Sequence, residues 1–240
     1  MQIVTVANKR PTEPYMCFDA MLASCRRFGH EPLILGWSQP WGGLGNKPRL
    51  LLKAIESGQI TDDHILFLDA FDTVLARPPC DIMAAYAEYH APIVWGAERN
   101  LFPDIGCDRD AVFPASPGGF RYLNSGVCVA ETGEMLQYLR HIDAANIRDD
   151  YKNEDGSMTH VNDQEIALRA FVEPFETVRM ALDTHAEIVL NMHSVSPDEM
   201  DVSGERIRIK CSGVEPCIFH ANGNAKDSGM LALVLAKLGY

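Results

Sequence analysis

The chain has 240 residues, 47% hydrophobic and 22% charged, which suits one globular α/β domain or one domain with a small appendage and excludes a disordered or low-complexity protein. A net charge of -12 and a pI near 5.0 argue against nucleic acid as a partner, because phosphate backbones need clustered Lys and Arg. No apolar run approaches the roughly 20 residues of a membrane span, and Met1-Gln2-Ile3-Val4-Thr5 reads as an immediate strand rather than a leader, so a cytoplasmic enzyme is expected.

Ile3 to Ala7 predicts a first strand. From Pro14 to Phe28, the residues Tyr15, Phe18, Met21, Leu22 and Cys25 fall at helical spacing, and Gly29 can close the helix. Pro32 to Leu35 reads as a second strand, followed by a glycine-rich loop from Trp41 to Lys47 and a helix from Pro48 to Ile55 with Pro in its first turn. His64 to Leu68 is a nearly continuous apolar run ending at Asp69, the mark of a strand buried on both faces of an α/β sheet. A helix over 81–89 and a strand over 93–95 come next. Arg99 to Gly119, rich in Pro, Gly and Asp, reads as a long loop. Tyr122 to Ala130 predicts a strand, with a helix starting near Thr132 and Glu134. Arg148 to Val161 is polar and reads as mobile, Asn162 to Phe171 as helical, Ile188 to Ile218 as short strands and turns, and Lys226 to Leu238 as a terminal helix. Strands and helices alternate first and short strands dominate later. That order predicts a nucleotide-binding half over 1–130 and an acceptor-side half over 131–240 within one domain. The seven cysteines are odd in number and form no CxxC pattern, so zinc or redox work is not indicated.

The strongest local signal runs from Leu66 to Val74. A buried strand delivers Asp69 and Asp72 to the loop past its carboxyl end, where open α/β sheets bind ligands. Two neighbouring carboxylates repel unless a cation joins them, so a hard divalent metal fits better than two turn caps. His220 ends an apolar strand before Asn222-Gly223. Leu123-Asn124-Ser125-Gly126 leads into a strand, and Asn162-Asp163-Gln164 opens a helix. Each of these three has an ordinary structural reading, as a core histidine, a turn and an N-cap.

Taken together and in order, the motifs resemble the glycosyltransferase domain of the procollagen lysyl hydroxylases and related collagen-modifying glycosyltransferases. The matching stretches are Val4 to Ala7, Trp41 to Lys47, Phe67 to Val74, Ala97-Glu98, Leu123 to Gly126, Asp163-Gln164, Leu182-Asp183 and His220 to Lys226. The resemblance implies a GT-A fold, an open twisted mixed sheet flanked by helices. It also implies Mn²⁺, a UDP-sugar donor (UDP-glucose or UDP-galactose) and a hydroxyl acceptor on a glycan, a hydroxylysine-type peptide or a small molecule. Carried over, Asp69, Asp72 and His220 hold the metal. Val6 and Phe71 lie beside the nucleoside, Phe71 replacing the usual Tyr. Lys47, Asn222, Gly223 and Lys226 face the diphosphate. Glu98, Asn124, Asp163 and Gln164 line the sugar side, with Asp163 nearest the reacting carbon and retention of configuration implied. Asn162 and Phe102 depart from the family's usual Asp and Trp, so the sugar and the acceptor stay open. Two alternatives remain: a haloacid-dehalogenase-type phosphatase, whose Asp-x-Asp spacing differs from Asp69-x-x-Asp72, and a non-catalytic nucleotide-sugar-binding module.

Overall fold

The computed structural model describes residues 1–13, 17–173, 178–226 and 229–240, with only the backbone of Lys226. Its first half runs β1 (Gln2–Val6), α1 (Phe18–Arg27), β2 (Leu33–Leu35), α2 (Asn46–Glu56), β3 (His64–Asp69), β4 (Thr73–Leu75), α3 (Pro79–Glu88), β5 (Ile93–Glu98) and α4 (Arg109–Val112). The second half runs β6 (Tyr122–Glu131), α5 (Thr132–His141), β7 (Tyr151–Lys152), β8 (Met158–Thr159), α6 (Asp163–Val172), β9 (Met180–Asp183), β10 (Val189–Asn191), β11 (Met200–Asp201), β12 (Arg208–Ile209), β13 (Ile218–His220) and α7 (Met230–Leu238).

Six strands form the main sheet in the order β2-β1-β3-β6-β5-β9. β1 is parallel to β2 and β3, β6 is antiparallel to β3 and β5, and β9 is parallel to β5, so the sheet is mixed, as expected. Helices cover both faces. Alternation along β3 sends Ile65 and Phe67 to the cluster with Leu51 and Leu52 of α2 and Leu139 of α5. Leu66 and Leu68 go to the opposite cluster with Met21 of α1 and Ile82 of α3. This double burial is why the β3 run is continuously apolar.

A second sheet, β10-β13-β4, sits at the carboxyl end of β3. Its Val74, Leu190 and Phe219 pack with Met230, Leu231 and Val234 of α7. The two sheets meet closely at Gly96, where a Cβ would lie 2.8 Å from both Asn191 Nδ2 and Val189 Cγ1. Any side chain there would push β10 away from β5.

Several expectations need correction. The loop from Arg99 to Gly119 contains the short helix α4, capped by Asp108, whose carboxylate accepts from Ala111 N–H at 3.2 Å. The segment read as mobile from Arg148 to Val161 holds the β7–β8 hairpin, cross-tied by Asn153 to Ser157 Oγ (2.8 Å) and Thr159 Oγ1 (3.0 Å). The terminal helix begins at Met230 rather than Lys226, after one 3₁₀ turn over Gly223–Lys226. The start of the first helix at Pro14 and Tyr15 falls outside the described residues. β4 and β9 were not read as strands at all.

Asp183, at the end of β9, is fully buried and anchors the turn that leads into β10. It accepts from Tyr89 Oη (2.5 Å) and from the backbone N–H groups of Glu187 (2.9 Å), Ile188 (2.9 Å) and Val189 (2.7 Å). Burial pushes its pKa up to about 6 against the pull of these four donors, so at neutral pH it is an ionised acceptor. Asp183→Asn will aim an amide NH₂ at backbone N–H groups. Unfolding free energy by urea titration will fall by roughly 2–3 kcal/mol, the cost of buried donors left unpaired. A loss below about half a kcal/mol, the range of neutral surface changes, would contradict this account.

Candidate active site

β3 ends in Asp69, three residues of turn follow, and β4 departs into the second sheet. Asp69 and Asp72 therefore stand on either side of one tight turn, and Thr73 Oγ1 closes that turn by donating to the Asp69 carbonyl at 2.6 Å. β13 runs antiparallel to β4 with His220 opposite Thr73. That pairing brings a residue from the end of the chain beside Asp72. His220 Nε2 lies 3.5 Å from Asp72 Oδ2 and 3.8 Å from Asp69 Oδ2. One ligand atom from each of the three residues falls within 4.8 Å of the others.

The orientation of His220 is set from behind. Asn191 Nδ2 donates to the Ala97 carbonyl at 2.9 Å, which leaves its Oδ1 to accept from His220 Nδ1 at 2.7 Å. With Nδ1 protonated, the Nε2 lone pair faces the two carboxylates, the tautomer a metal ligand needs. Gly126 supplies the space: a Cβ there would lie 2.2 Å from His220 Cε1 and 2.9 Å from Asp69 Oδ2. The glycine of the Leu-Asn-Ser-Gly stretch thus keeps open the cradle in which imidazole and carboxylate meet.

Lys47, in the first turn of α2, places its ammonium 2.6 Å from Asp69 Oδ1 and 3.2 Å from Asp163 Oδ2. The contact with Asp69 is a close ion pair rather than a well-directed hydrogen bond, because that buried oxygen has no partner of hydrogen-bond geometry. Burial alone would lower the pKa of Lys47, but Asp163 and Asp69 outweigh it and raise it, so Lys47 is a permanent cation. Burial pushes Asp69 upward, Lys47 pulls it back and Asp72 adds to the push. Before Glu98 is counted, three carboxylates, Asp69, Asp72 and Asp163, face one ammonium. The excess of about two negative charges, the hard oxygen donors and the prepared imidazole fit a divalent cation.

Asp163 opens α6 but does not cap it. Asn162 does, accepting from Gln164 N–H (3.0 Å) and Glu165 N–H (3.4 Å). The Asp163 carboxylate is left to Lys47 and to Ser125 Oγ, which donates to it at 3.0 Å. Glu98 is buried at 3% exposure and gathers three amides: Asn124 Nδ2 (2.9 Å) and Gln164 Nε2 (3.0 Å) on one oxygen, Asn222 Nδ2 (3.1 Å) on the other. Burial raises its pKa while the amides of Asn124 and Gln164 lower it. Asn124 also accepts from Gly126 N–H at 2.9 Å, and Gln164 donates to the Phe102 carbonyl at 2.6 Å. Glu98, Asn124, Gln164 and Asn222 thus form one network that fixes β5, β6, α6 and the turn after β13 relative to each other.

These groups line a cleft of about 600 Å³, from Leu44 and Lys47 past the Asp69–Asp72–His220 cluster to Phe102, His193 and Gly223. Val6 and Phe71 are absent from that lining. Val6 of β1 pairs with Asp69 of β3, and Phe71 packs at a tilt against Phe18, which also stacks with Trp37 at 5.7 Å. The glycines of the loop from Trp41 to Lys47 are covered by another chain segment. Gly42 and Gly43 lie against the carboxylates of Asp149 and Asp150, where a Cβ would sit 2.2 and 2.3 Å away. Gly45 lies against Ile147 and the Arg148 carbonyl, and the Asp150 N–H donates to the Gly42 carbonyl at 2.7 Å. The loop is glycine-rich because another chain segment packs on it. The Lys226 side chain lies outside the described residues. Asn191 and His193 were missed in the sequence reading; a buried Asn inside the apolar run from Ile188 to Met192 was the available signal for the first.

A family model, the PLOD GT domain, matches residues 1–233 of this chain. The chain belongs to that family. It is 25% identical over 238 residues to Procollagen-lysine,2-oxoglutarate 5-dioxygenase 1 of Mus musculus. It is 26% identical over 239 residues to Multifunctional procollagen lysine hydroxylase and glycosyltransferase LH3 of Homo sapiens. Each match covers 93% of this chain and 30% of the relative, so the chain spans under a third of the length of these proteins. A crystal structure of a glycosyltransferase involved in the glycosylation of the major capsid of PBCV-1 shares the fold. Its TM-score is 0.50 at 11% identity, over 97% of this chain and 100% of that one. This PLOD GT domain is a glycosyltransferase with a GT-A-like fold and an acidic candidate metal site, and the phosphatase reading is displaced. Among the described residues, no helix is long and apolar enough to cross a membrane.

Proposed function

We propose that this PLOD GT domain transfers a hexose from a UDP-sugar, UDP-glucose or UDP-galactose, to a hydroxyl acceptor, with retention of configuration and with Mn²⁺ held by Asp69, Asp72 and His220. The observation that carries this reading is the Asp69–Asp72–His220 cluster at the floor of a cleft, with Lys47 and Asp163 beside it. Bound there, a divalent cation supplies Lewis-acid neutralisation of the charge that grows on the departing diphosphate. Asn222 and Gly223 border the same cleft and offer polar groups to the diphosphate. Lys47 adds a fixed positive charge between the metal ligands and Asp163, so it supports the leaving group and holds Asp163 in place. Asp163 faces the sugar's reacting carbon, as nucleophile or as the carboxylate opposite developing positive charge. Glu98, Asn124 and Gln164 act through position, each committed to the network that sets Asp163 and the turn after β13. Residues 1–130 supply mainly the donor side. Residues 131–240 supply mainly the acceptor side, with Asp163, together with the C-terminal metal and diphosphate segment that carries His220, Asn222 and Gly223.

A panel of UDP-sugars, incubated with and without Mn²⁺, tests the assignment by UDP release. One UDP-hexose will be turned over with Mn²⁺ and not with EDTA. Equal UDP release in EDTA, or turnover confined to non-nucleotide phosphate esters, would overturn it. UDP release that no acceptor accelerates would reduce the domain to a donor-binding module.

A further inference from the structure

We propose that His193 is a donor-binding residue that gives a hydrogen bond from Nε2–H to the diphosphate, an inference that rests on the proposed function. His193 follows β10 and lines the cleft, half-buried. Its imidazole lies across the turn after β13, so closely that a Cβ on Gly223 would sit 2.3 Å from Nδ1 and 3.0 Å from Cε1. Gly223 has φ +57°, a conformation that favours glycine, and the ring above it leaves no room for a Cβ.

Two hydrogen bonds fix the ring. The His193 backbone N–H donates to Asn222 Oδ1 at 2.9 Å, and Nδ1 accepts from the Asn224 backbone N–H at 3.1 Å. The Asn222 amide cannot turn over without losing its bond to Glu98 Oε2, so this clamp has one register. A backbone amide can only donate. Nδ1 is therefore the bare nitrogen of a neutral imidazole and Nε2 carries the proton. Among the described residues Nε2–H has no hydrogen-bond partner in the protein.

A pinned donor without a protein partner, on the rim of a cleft, is aimed at a ligand acceptor. The arrangement argues against a base: the one lone pair of His193, on Nδ1, is taken by the Asn224 N–H. What remains is donation to an oxygen-rich ligand. The ring sits on the Asn222–Gly223–Asn224 turn, the side of the cleft assigned to the diphosphate, and an anionic phosphate oxygen is the strongest acceptor available there. A cleft floored by carboxylates gains a neutral donor at this point without another charge.

Two variants separate the donor from the clamp. In His193→Asn, the side-chain oxygen still reaches the position of Nδ1 and holds the Asn224 N–H, but nothing reaches the position of Nε2. In His193→Gln, an NH₂ group reaches the position of Nε2. Calorimetry with the Mn²⁺-loaded protein will show His193→Asn binding UDP about ten-fold more weakly than the wild type, the loss expected of one charge-assisted hydrogen bond. Uridine affinity and Mn²⁺ affinity will not change, and His193→Gln will recover most of the UDP affinity. Wild-type UDP affinity in His193→Asn, or equal losses for UDP and uridine, would overturn the role of His193 while leaving the proposed function standing. Wild-type protein with no Mn²⁺-dependent UDP affinity would instead overturn the proposed function, and this inference with it. Imidazole ¹⁵N shifts give an independent check. They will show Nε2 protonated and Nδ1 bare in the free protein, and the opposite tautomer would overturn the proposal without any nucleotide.

Discussion

Asp72→Ala will abolish Mn²⁺-dependent UDP-sugar binding and turnover while leaving the fold intact. Asp72 is 6% exposed and sits in the turn between β3 and β4, so its carboxylate is already oriented within ligand distance of His220 before any ion arrives. Removing it takes one of three ligands and one of the charges that make a dication welcome. Ala fits the turn sterically, and the backbone bond from Ala221 N–H to the Asp72 carbonyl, 2.7 Å, does not depend on the side chain. The loss of one carboxylate should lower Mn²⁺ affinity at least about 100-fold, the upper end seen even for residues one step removed from a metal. Manganese binding read by electron paramagnetic resonance, with circular dichroism to check folding, makes the measurement. Unchanged Mn²⁺ and donor affinity in a folded Asp72→Ala protein would remove the metal from this site.

The part of the site legible in the sequence is the part built by neighbours along the chain. Asp69 and Asp72 share one turn after one strand, so the apolar run from Ile65 to Leu68 already announces both their place and their exposure to the cleft. His220 was a different matter. Its own surroundings say only that a strand ends there, because its meeting with Asp72 depends on pairing between β13 and β4, and β4 is three residues long. A strand that short leaves no periodicity to read, and the ordered resemblance to a family did what local pattern could not. Asp163 was legible as an acid at a helix start. What the sequence left open was the cap: Asn162 does the capping, and the Asp163 carboxylate is left to Lys47 and Ser125. The glycine loop was legible as a loop but not in its purpose. Gly42, Gly43 and Gly45 mark a close approach, but sequence does not say whether a phosphate or the chain itself approaches, and here residues 147–150 do. His193 had no signal, since a histidine in a turn acquires meaning only from the Asn224 N–H that fixes its tautomer.

Asp163→Asn will bind UDP with near wild-type affinity and transfer sugar at least about 100-fold more slowly, the scale on which loss of one catalytic group is felt. The substitution is nearly isosteric. The helix start survives because Asn162, not Asp163, accepts from Gln164 and Glu165 N–H. The Ser125 hydroxyl, 3.0 Å away, can still donate to the amide oxygen. Lys47 loses one of its two carboxylates but keeps Asp69 at 2.6 Å, so its charge stays in the site. What disappears is one negative charge opposite the reacting carbon, together with the capacity to act as a nucleophile. The effect should therefore fall on kcat and spare the affinity for UDP, which lacks that carbon. Three outcomes are informative. A large fall in kcat with unchanged UDP affinity places Asp163 at the chemistry. A parallel fall in kcat and UDP affinity would mean that Asp163 serves only to hold Lys47 in place. An unchanged kcat would remove Asp163 from catalysis altogether. The acid would then have to be sought at Glu98, whose carboxylate already accepts two amide bonds on one oxygen and one on the other.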